Sequence, residues 1–119
     1  MLIQKGNFPV QVMEHFKDGE GRFTIEHILT QEQMGQSGRL FAWGTLESGH
    51  SVGWHVHHGD MEICCCVAGN GVVIEESGEP RPFGPGDVNV VPDGCGHEIR
   101  NTGSEPLTYV AVVLYPQKG

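Results

Sequence analysis

Turn-forming residues recur at short intervals along almost the whole chain, and they limit the length of any helix or strand between them. Of the 119 residues, 18 are glycine and 7 are proline. The runs between the turns are short and rich in β-branched and aromatic residues. The clearest runs are 39–46, 61–68, 71–76, 88–91 and 107–115. Many short strands at nearly regular spacing are typical of a β-sandwich or β-barrel, so the sequence predicts an all-β fold.

The N-terminal third is less regular than the rest. Residues 21–30 alternate enough to form a strand, whereas residues 10–16 could be strand or helix. Thr30 and Gln33 form a weak capping box, which predicts one helical turn over residues 31–34. No linker or repeat divides the chain, and 119 residues suffice for one core but not for two. We therefore expect a single domain over residues 1–119, with strands in residues 1–37 and a barrel over residues 38–116.

Charge and cysteine content exclude several classes of function. The net charge is −8, with only 7 lysine and arginine residues, which disfavours nucleic-acid binding. No apolar run reaches membrane-spanning length, and the first residues lack the apolar core of a signal peptide. Three cysteines are consecutive at positions 64–66 and the fourth, Cys95, is isolated, so they do not form a disulfide framework. We expect a cytoplasmic protein with no nucleic-acid or membrane partner.

Two glycine-framed stretches carry three histidines and a glutamate. The first contains Gly49, His55, His57, Glu62 and Gly69, and the second contains Gly86, Pro92, Gly94, His97 and Asn101. His55 and His57 lie two residues apart and would share one face of a strand. A turn over residues 58–60 would let Glu62 return to that face, and His97 follows a second turn.

Imidazole and carboxylate groups together suit iron, manganese, zinc, nickel or copper better than magnesium or calcium. The spacing lets all four side chains converge on one point. The sequence therefore predicts one divalent transition-metal site on His55, His57, Glu62 and His97.

Both stretches resemble the two sequence motifs of the cupin superfamily, with every motif position matched. The resemblance covers residues 49–101 strictly and residues 38–116 in strand pattern. It implies a small antiparallel jelly-roll β-barrel with His55, His57, Glu62 and His97 as metal ligands. It also implies that the N-terminal strands form a dimerisation arm of a homodimer. Cupins include dioxygenases, decarboxylases, isomerases, lyases, sugar-binding domains and storage proteins, so the motifs leave the substrate open.

Four protein ligands in an octahedral shell leave two positions open to other ligands. Iron could hold dioxygen and a chelating substrate there, manganese could hold a carboxylate such as oxalate, and zinc or nickel could polarise a carbonyl group. We therefore predict a metal-dependent enzyme acting on a small molecule, of dioxygenase or isomerase type. The alternatives are a metal-containing ligand-binding or sensor module without catalysis, and a metal that only stabilises the barrel.

Several neighbouring residues are candidates for the wall of a pocket at the metal. Cys64 and Cys66 share the parity of Glu62, and Cys95 lies in the turn before His97. The candidate pocket residues are Cys64, Cys66, Cys95, Trp43 and Phe41. The alternative for Cys95 is a small turn residue, and for the two aromatic residues it is the core or a dimer interface.

Other charged and aromatic groups receive a structural interpretation. His58 has the opposite parity to His57, so we predict a turn histidine rather than a fifth ligand. We expect His15, His27 and His50 to be surface or structural residues, because they lack ligand spacing. Arg39 and Arg100 are the cations nearest the motifs, and an arginine there could bind a carboxylate or phosphate in a bidentate pair. The run 107–115 is apolar on both faces, which indicates a strand covered on both sides, for example by a second subunit.

Overall fold

The computed structural model describes residues 1–117 and consists of two antiparallel β-sheets with one short helix. The strands are β1 Val10–Glu14, β2 Arg22–Leu29, β3 Gly38–Leu46, β4 Ser51–Val56, β5 Met61–Ala68, β6 Gly71–Ile74, β7 Pro80–Phe83, β8 Val88–Val91, β9 Gly96–Arg100 and β10 Leu107–Leu114. A 3-10 turn spans Phe16–Asp18, and the helix α1 spans Gln31–Met34. The prediction of an all-β, antiparallel jelly roll is confirmed.

The chain passes repeatedly between the two sheets. The larger sheet has the strand order β1-β2-β3-β10-β5-β8, and the smaller has the order β4-β9-β6-β7. Strands that follow one another in sequence, such as β3 and β4 or β4 and β5, therefore lie in opposite sheets. This alternation matters for function because it brings the end of β4 and the beginning of β5 against each other across the barrel.

The inner faces of both sheets form one apolar core. Its buried residues include Phe23, Leu46, Leu107 and Tyr109 from the larger sheet and Ile99 from the smaller. Alternating side chains of each strand supply these residues, as expected for a sheet with one covered face. The core fills one end of the barrel and leaves the other end free for polar side chains.

The N-terminal third contributes two strands to the larger sheet. β1 pairs with β2, and β2 pairs with β3 in antiparallel register. The capping box of α1 is present, since the Thr30 hydroxyl accepts from the Gln33 amide and the Gln33 side chain accepts from the Thr30 amide. Residues 10–16, whose state the sequence left open, divide between β1 and the 3-10 turn.

Strand β7 is a strand that the sequence did not predict. Its sequence Pro-Arg-Pro-Phe contains two prolines, which cannot donate hydrogen bonds to a neighbouring strand. β7 lies at the edge of the smaller sheet and pairs with β6 alone, so the missing donors face no partner strand.

A strained turn covers the outer side of β4. His15, Lys17 and Asp18 have φ angles of 48°, 56° and 63°, in the left-handed region that non-glycine residues rarely adopt. The Lys17 carbonyl oxygen packs directly against Gly53 of β4, where a Cβ atom would collide with it. Glycine at position 53 is therefore required for this close approach.

The outer face of the larger sheet is apolar across four strands. Trp43, Val110, Cys65 and Val88 lie side by side in one cross-strand row on this face. A second row contains Phe41, Val112, Ile63 and Val90. Val88 is 56% exposed and Val90 is 46% exposed.

No helix within residues 1–117 is long and apolar enough to cross a membrane.

Candidate metal centre

Four side chains, three from strands and one from the loop after β4, bring their donor atoms together inside the barrel. His55 and His97 lie opposite each other in the β4–β9 pair, His57 follows β4 directly, and Glu62 is the second residue of β5. One donor atom from each of the four lies within 4.8 Å of the others. Two short loops and the strand pairing between them thus create a compact cluster.

The distances within the cluster are those of polar atoms in direct contact. Oε1 of Glu62 lies 2.7 Å from Nε2 of His97 and 3.3 Å from Nε2 of His57. Nε2 of His97 lies 3.2 Å from Nε2 of His55. His97 is 1% exposed, His57 is 4% exposed and Glu62 is 8% exposed, whereas His55 is half-buried. Only His55 among the four is therefore open to a substantial approach from outside.

Each of the three imidazole rings is oriented through its other nitrogen. Nδ1 of His55 lies 2.8 Å from the Gly53 carbonyl oxygen, and Nδ1 of His97 lies 2.7 Å from Oδ1 of Asn89. Nδ1 of His57 lies 2.7 Å from Oδ1 of Asp60. Because these partners accept a hydrogen bond from Nδ1–H, the neutral rings present the Nε2 lone pair to the cluster. This is the tautomer that a metal ligand requires.

An arginine extends the network at His57. Nε of Arg39 donates to Oδ2 of Asp60 over 2.8 Å, while Asp60 is 5% exposed. Arg39 lies in a β-bulge of β3. Val113 of β10 pairs with Leu40 and the next residue, Leu114, pairs with Gly38, so Arg39 has no partner on β10. The bulge turns the Arg39 side chain toward the inside of the barrel end.

The charges in the network follow from burial and hydrogen bonding. Burial alone would raise the pKa of the Asp60 carboxyl, but the hydrogen bonds from Arg39 and His57 outweigh it and hold the pKa below its ordinary value. Burial would likewise raise the pKa of Glu62, but the neighbouring imidazoles of His57 and His97 hold it well below the usual range. Glu62 is therefore a buried anion among three imidazoles.

The histidines respond in opposite directions to this environment. The adjacent Glu62 carboxylate raises the pKa of His57 against the effect of burial, and Asp60 adds to the increase. Burial lowers the pKa of His55. A buried carboxylate held by neighbouring imidazoles attracts a cation, which here is either a proton or a metal ion.

One donor atom of the cluster lacks a hydrogen bond. Within residues 1–117, Nε2 of His57 is the single buried side-chain nitrogen or oxygen without a hydrogen-bond partner. Leaving such a group unsatisfied costs roughly 1–3 kcal/mol. A metal ion bound by Nε2 of His57 would satisfy it, so the residues present fit a divalent transition metal.

A cavity of about 320 Å³ connects the cluster to the surface. Its wall includes all four donor residues together with Arg39. The N-terminal hairpin supplies Gln11 and His27 at the outer end. A wider groove of about 730 Å³ runs along the outside of β4 and β9 and lies apart from the four donor residues.

The five predicted pocket residues lie outside this cavity. Cys64 and Cys66 are buried in the core, and Cys95 is half-buried in the turn before β9. Phe41 and Trp43 lie on the outer face of the larger sheet. The inward positions of β3 are the even-numbered ones, which include the buried Ala42, Gly44 and Leu46. Phe41 and Trp43 differ from the prediction because the alternation of β3 turns them outward, whereas Cys64 and Cys66 face the interior as their parity with Glu62 predicts.

Sequence reasoning overlooked several residues that contact the cluster or the cavity. His27 lines the cavity rather than serving only as a surface residue, and the alternation of Phe23, Ile25 and His27 along β2 is the signal that locates it. Asp60 was recognised only as part of a turn. Asn89 carries no sequence signal, since its contact with His97 arises from the packing of β8 against β9. His58 is exposed, which agrees with its assignment to the turn.

The sequence matches known proteins over most of its length. The family model described as a cupin domain matches residues 42–113. The oxalate-binding protein of Thermotoga maritima is 33% identical over 114 residues, which covers 96% of this chain and 93% of that protein.

Solved structures show the same fold. A Thermotoga maritima crystal structure, described as a predicted oxalate decarboxylase, superposes with a TM-score of 0.91 and 33% identity, covering 98% of this chain and 100% of the other. The structure of KdgF from a Halomonas species has a TM-score of 0.74 and covers 99% of this chain and 96% of its own. At 19% identity, the second similarity shows the fold alone.

Proposed function

This chain belongs to the cupin family, and we propose that it holds one divalent transition metal that binds and activates a small carboxylate. The observation that carries the proposal is the convergence of His55, His57, Glu62 and His97 donor atoms within 4.8 Å. The three oriented imidazoles and the unpartnered Nε2 of His57 support it. Iron, manganese, nickel, zinc and copper all suit this set of nitrogen and oxygen donors.

At such a site the metal and the protein residues would have different roles. A bound metal would supply Lewis acidity and open positions for a ligand. Gly53, Asp60 and Asn89 fix the three rings, and partners of this kind commonly change metal affinity 10- to 100-fold in other proteins. The buried walls around His57 and His97 limit contact with water.

Positive charge on the cavity wall favours an anionic ligand. Arg39 and Lys17 both line the cavity, and the Arg39 side chain remains 44% exposed while its Nε bonds Asp60. A guanidinium group has further N–H donors in a planar fork that matches a carboxylate. A Thermotoga maritima relative and a Thermotoga maritima crystal structure, each 33% identical to this chain, are both named for oxalate, which supports a carboxylate as the ligand.

Two modes of action remain to be separated by experiment. The first is a metal-dependent enzyme of dioxygenase or isomerase type, and the open cavity leading to the donor atoms supports it. The second is a small-ligand-binding or sensor module without turnover. The name of the Thermotoga maritima relative, an oxalate-binding protein, favours the second.

We further propose a homodimer formed through the outer face of the larger sheet. The four strands that carry the apolar rows, spaced about 4.8 Å apart and about 17–20 Å long, present a face of roughly 350 Å² in projection. An apolar patch of this size commonly marks an interaction site. β10 lies in the interior of the sheet yet carries Val110 and Val112 on this face, so a second copy related by a two-fold axis would cover apolar residues with the same apolar residues.

The cysteines support a reducing compartment. All four are free, with Cys64 and Cys66 buried and Cys65 and Cys95 half-buried. Proteins with several free thiols and no disulfide are typical of the cytosol. We therefore propose a cytoplasmic location, and one domain that extends over residues 1–119 and takes no nucleic-acid or membrane partner.

Removal of a buried ligand should abolish tight metal binding. We expect His97→Ala to reduce the affinity for manganese, iron, nickel or zinc by at least about 100-fold, because one of four donors is lost from a buried site. The measurement is calorimetric titration of the metal-free protein, supported by metal analysis. His58→Ala is the matched control and should retain the affinity of the unmodified protein. Loss of affinity in the control with retention in His97→Ala would contradict the assigned ligands.

Metal should be released as the pH falls through the range in which histidine becomes protonated. The contact with Glu62 raises the pKa of His57, so a proton competes with the metal at this ring first. Burial lowers the pKa of His55, so this ring resists protonation longer. We expect release over about pH 5–6.5. Equilibrium dialysis at each pH followed by metal analysis measures it, and full occupancy at pH 4 would exclude histidine ligation.

Carboxylate binding should depend on both the metal and Arg39. We expect the metal-loaded protein to bind oxalate and the metal-free protein to bind it at least about tenfold more weakly. Arg39→Gln should weaken oxalate binding about tenfold through loss of charged hydrogen bonds, whereas Arg100→Gln, in the outer groove, should not. Metal content must be equal in all samples, because Arg39 also orients Asp60.

Turnover is measured on the same samples by oxygen uptake, carbon dioxide release and product analysis by NMR. Oxygen uptake indicates a dioxygenase, and an isomeric product without oxygen uptake indicates an isomerase. Tight binding without any product identifies a ligand-binding module. Failure of the metal-loaded protein to bind any small carboxylate would overturn the proposed function.

A charge on the outer face of the larger sheet should prevent dimerisation. We expect the unmodified protein to have twice the mass of one chain in light scattering, and Val90→Glu to have the mass of one chain. Arg81→Glu, on β7 of the smaller sheet, should remain dimeric. A monomeric unmodified protein, or a dimer that persists in Val90→Glu together with Val110→Glu, would exclude this interface.

A further inference from the structure

We propose that the cavity contains a second, distal binding site, formed by Gln11 and His27, for the far end of an aliphatic dicarboxylate longer than oxalate. One carboxylate of that ligand would occupy the metal end beside Arg39, and the other would reach the N-terminal hairpin. This inference rests on the proposed function, since it extends the ligand that the metal would hold.

The size of the cavity exceeds what oxalate needs. The cavity volume is about 320 Å³. Since one water molecule takes up about 30 Å³ in the liquid, this space corresponds to roughly ten water molecules. Oxalate has only six non-hydrogen atoms and would fill a minor part of it. Pockets for larger small-molecule ligands begin at about 300 Å³, so the available space suits a longer molecule.

The middle of the cavity is apolar. Strands β3 and β10 lie between β2 and β5, and their residues Leu40, Tyr109, Ala111 and Val113 line the cavity. Such a wall offers no charged partner to a ligand and favours methylene groups. Burying one methylene group typically increases affinity about fourfold.

The outer end of the cavity is polar again. Nε2 of His27 lies 2.6 Å from Oε1 of Gln11, and both residues line the cavity. This contact uses one ring nitrogen of His27 and the carbonyl oxygen of Gln11. Because Nε2–H of His27 donates to Oε1 of Gln11, the Gln11 side chain is held with its amide N–H groups free to donate to a ligand carboxylate oxygen.

The strand register sets the separation between the two ends. His27 on β2 pairs with Ala42, Ala42 pairs with Ala111, and Ala111 pairs with Cys64 on β5. Three strand spacings amount to roughly 14 Å along the sheet, and Glu62 lies two residues from Cys64 on the same face. The side chains at both ends point inward and shorten this gap. Oxalate cannot contact both ends at once, whereas a dicarboxylate with several methylene groups can.

The test compares oxalate, succinate and adipate on the protein loaded with the metal that it binds most tightly. Affinities are measured by calorimetry for the unmodified protein, His27→Ala and Gln11→Ala. The exposed residues His58 and Gln36 provide matched controls as His58→Ala and Gln36→Ala. Metal content is measured for every sample, so that an effect on the metal is recognised.

We expect adipate to bind at least about tenfold more tightly than oxalate to the unmodified protein. His27→Ala and Gln11→Ala should each weaken adipate binding about tenfold and leave oxalate binding unchanged, because oxalate does not reach the distal site. The two controls should behave as the unmodified protein does with all three ligands.

The possible failures are distinguishable. Oxalate binding with no gain for adipate, or variants that weaken both ligands equally, would overturn the distal site and leave the proposed function standing. Absence of metal binding, or of any dicarboxylate binding to the metal-loaded protein, would overturn both. Restored adipate affinity in His27→Gln, whose amide can donate to Gln11 in place of the ring, would support the role of His27 in orienting Gln11.

Discussion

The buried carboxylate of Glu62 is the constraint on which the end of the barrel depends. A carboxylate removed from water is unfavourable unless charged or polar partners surround it. His57 and His97 provide those partners at 3.3 and 2.7 Å. The rings are in turn held by Asp60 and Asn89, and Asp60 is held by Arg39. The buried charge of Glu62 thus accounts for polar groups in positions that an ordinary barrel core would fill with apolar side chains.

The topology makes this arrangement possible. His55 and His97 belong to the smaller sheet, whereas Glu62 belongs to the larger one, so the cluster bridges the two layers. Apolar residues of both sheets close the other end of the barrel. The centre is therefore built on strands that the core holds in place, and its donors keep their geometry without relying on long loops. Rigid placement of this kind is what a metal site or a binding site needs.

Much of the fold was predictable because it depends on local patterns. Runs rich in β-branched and aromatic residues between turn signals located β3, β5 and β10, alternation located β2, and the capping box located α1. Strand β7 was missed because its two prolines argue against a strand unless the edge position is known. Phe41 and Trp43 were considered for the pocket because their nearness in sequence to the motifs does not reveal which face of β3 they occupy.

The lining of the cavity also could not be predicted from local sequence patterns. His27 and Gln11 lie far from the motifs in sequence and reach the cavity only because β1 and β2 extend the larger sheet. Arg39 reaches Asp60 only because a bulge shifts the register of β3 by one residue. Neither the sheet order nor the bulge follows from local residue preferences, since both depend on the pairing of distant strands.

The sequence by itself determined the all-β class, the turn positions and the four residues that meet inside the barrel. These features depend on residue type and spacing over short distances, where backbone preferences are strong. Only the tertiary structure decided which acceptor orients each imidazole, which face of the larger sheet is exposed, and how far the cavity extends beyond the donor atoms. Those features arise from contacts between strands that are distant in sequence, and no local pattern encodes the register that creates them.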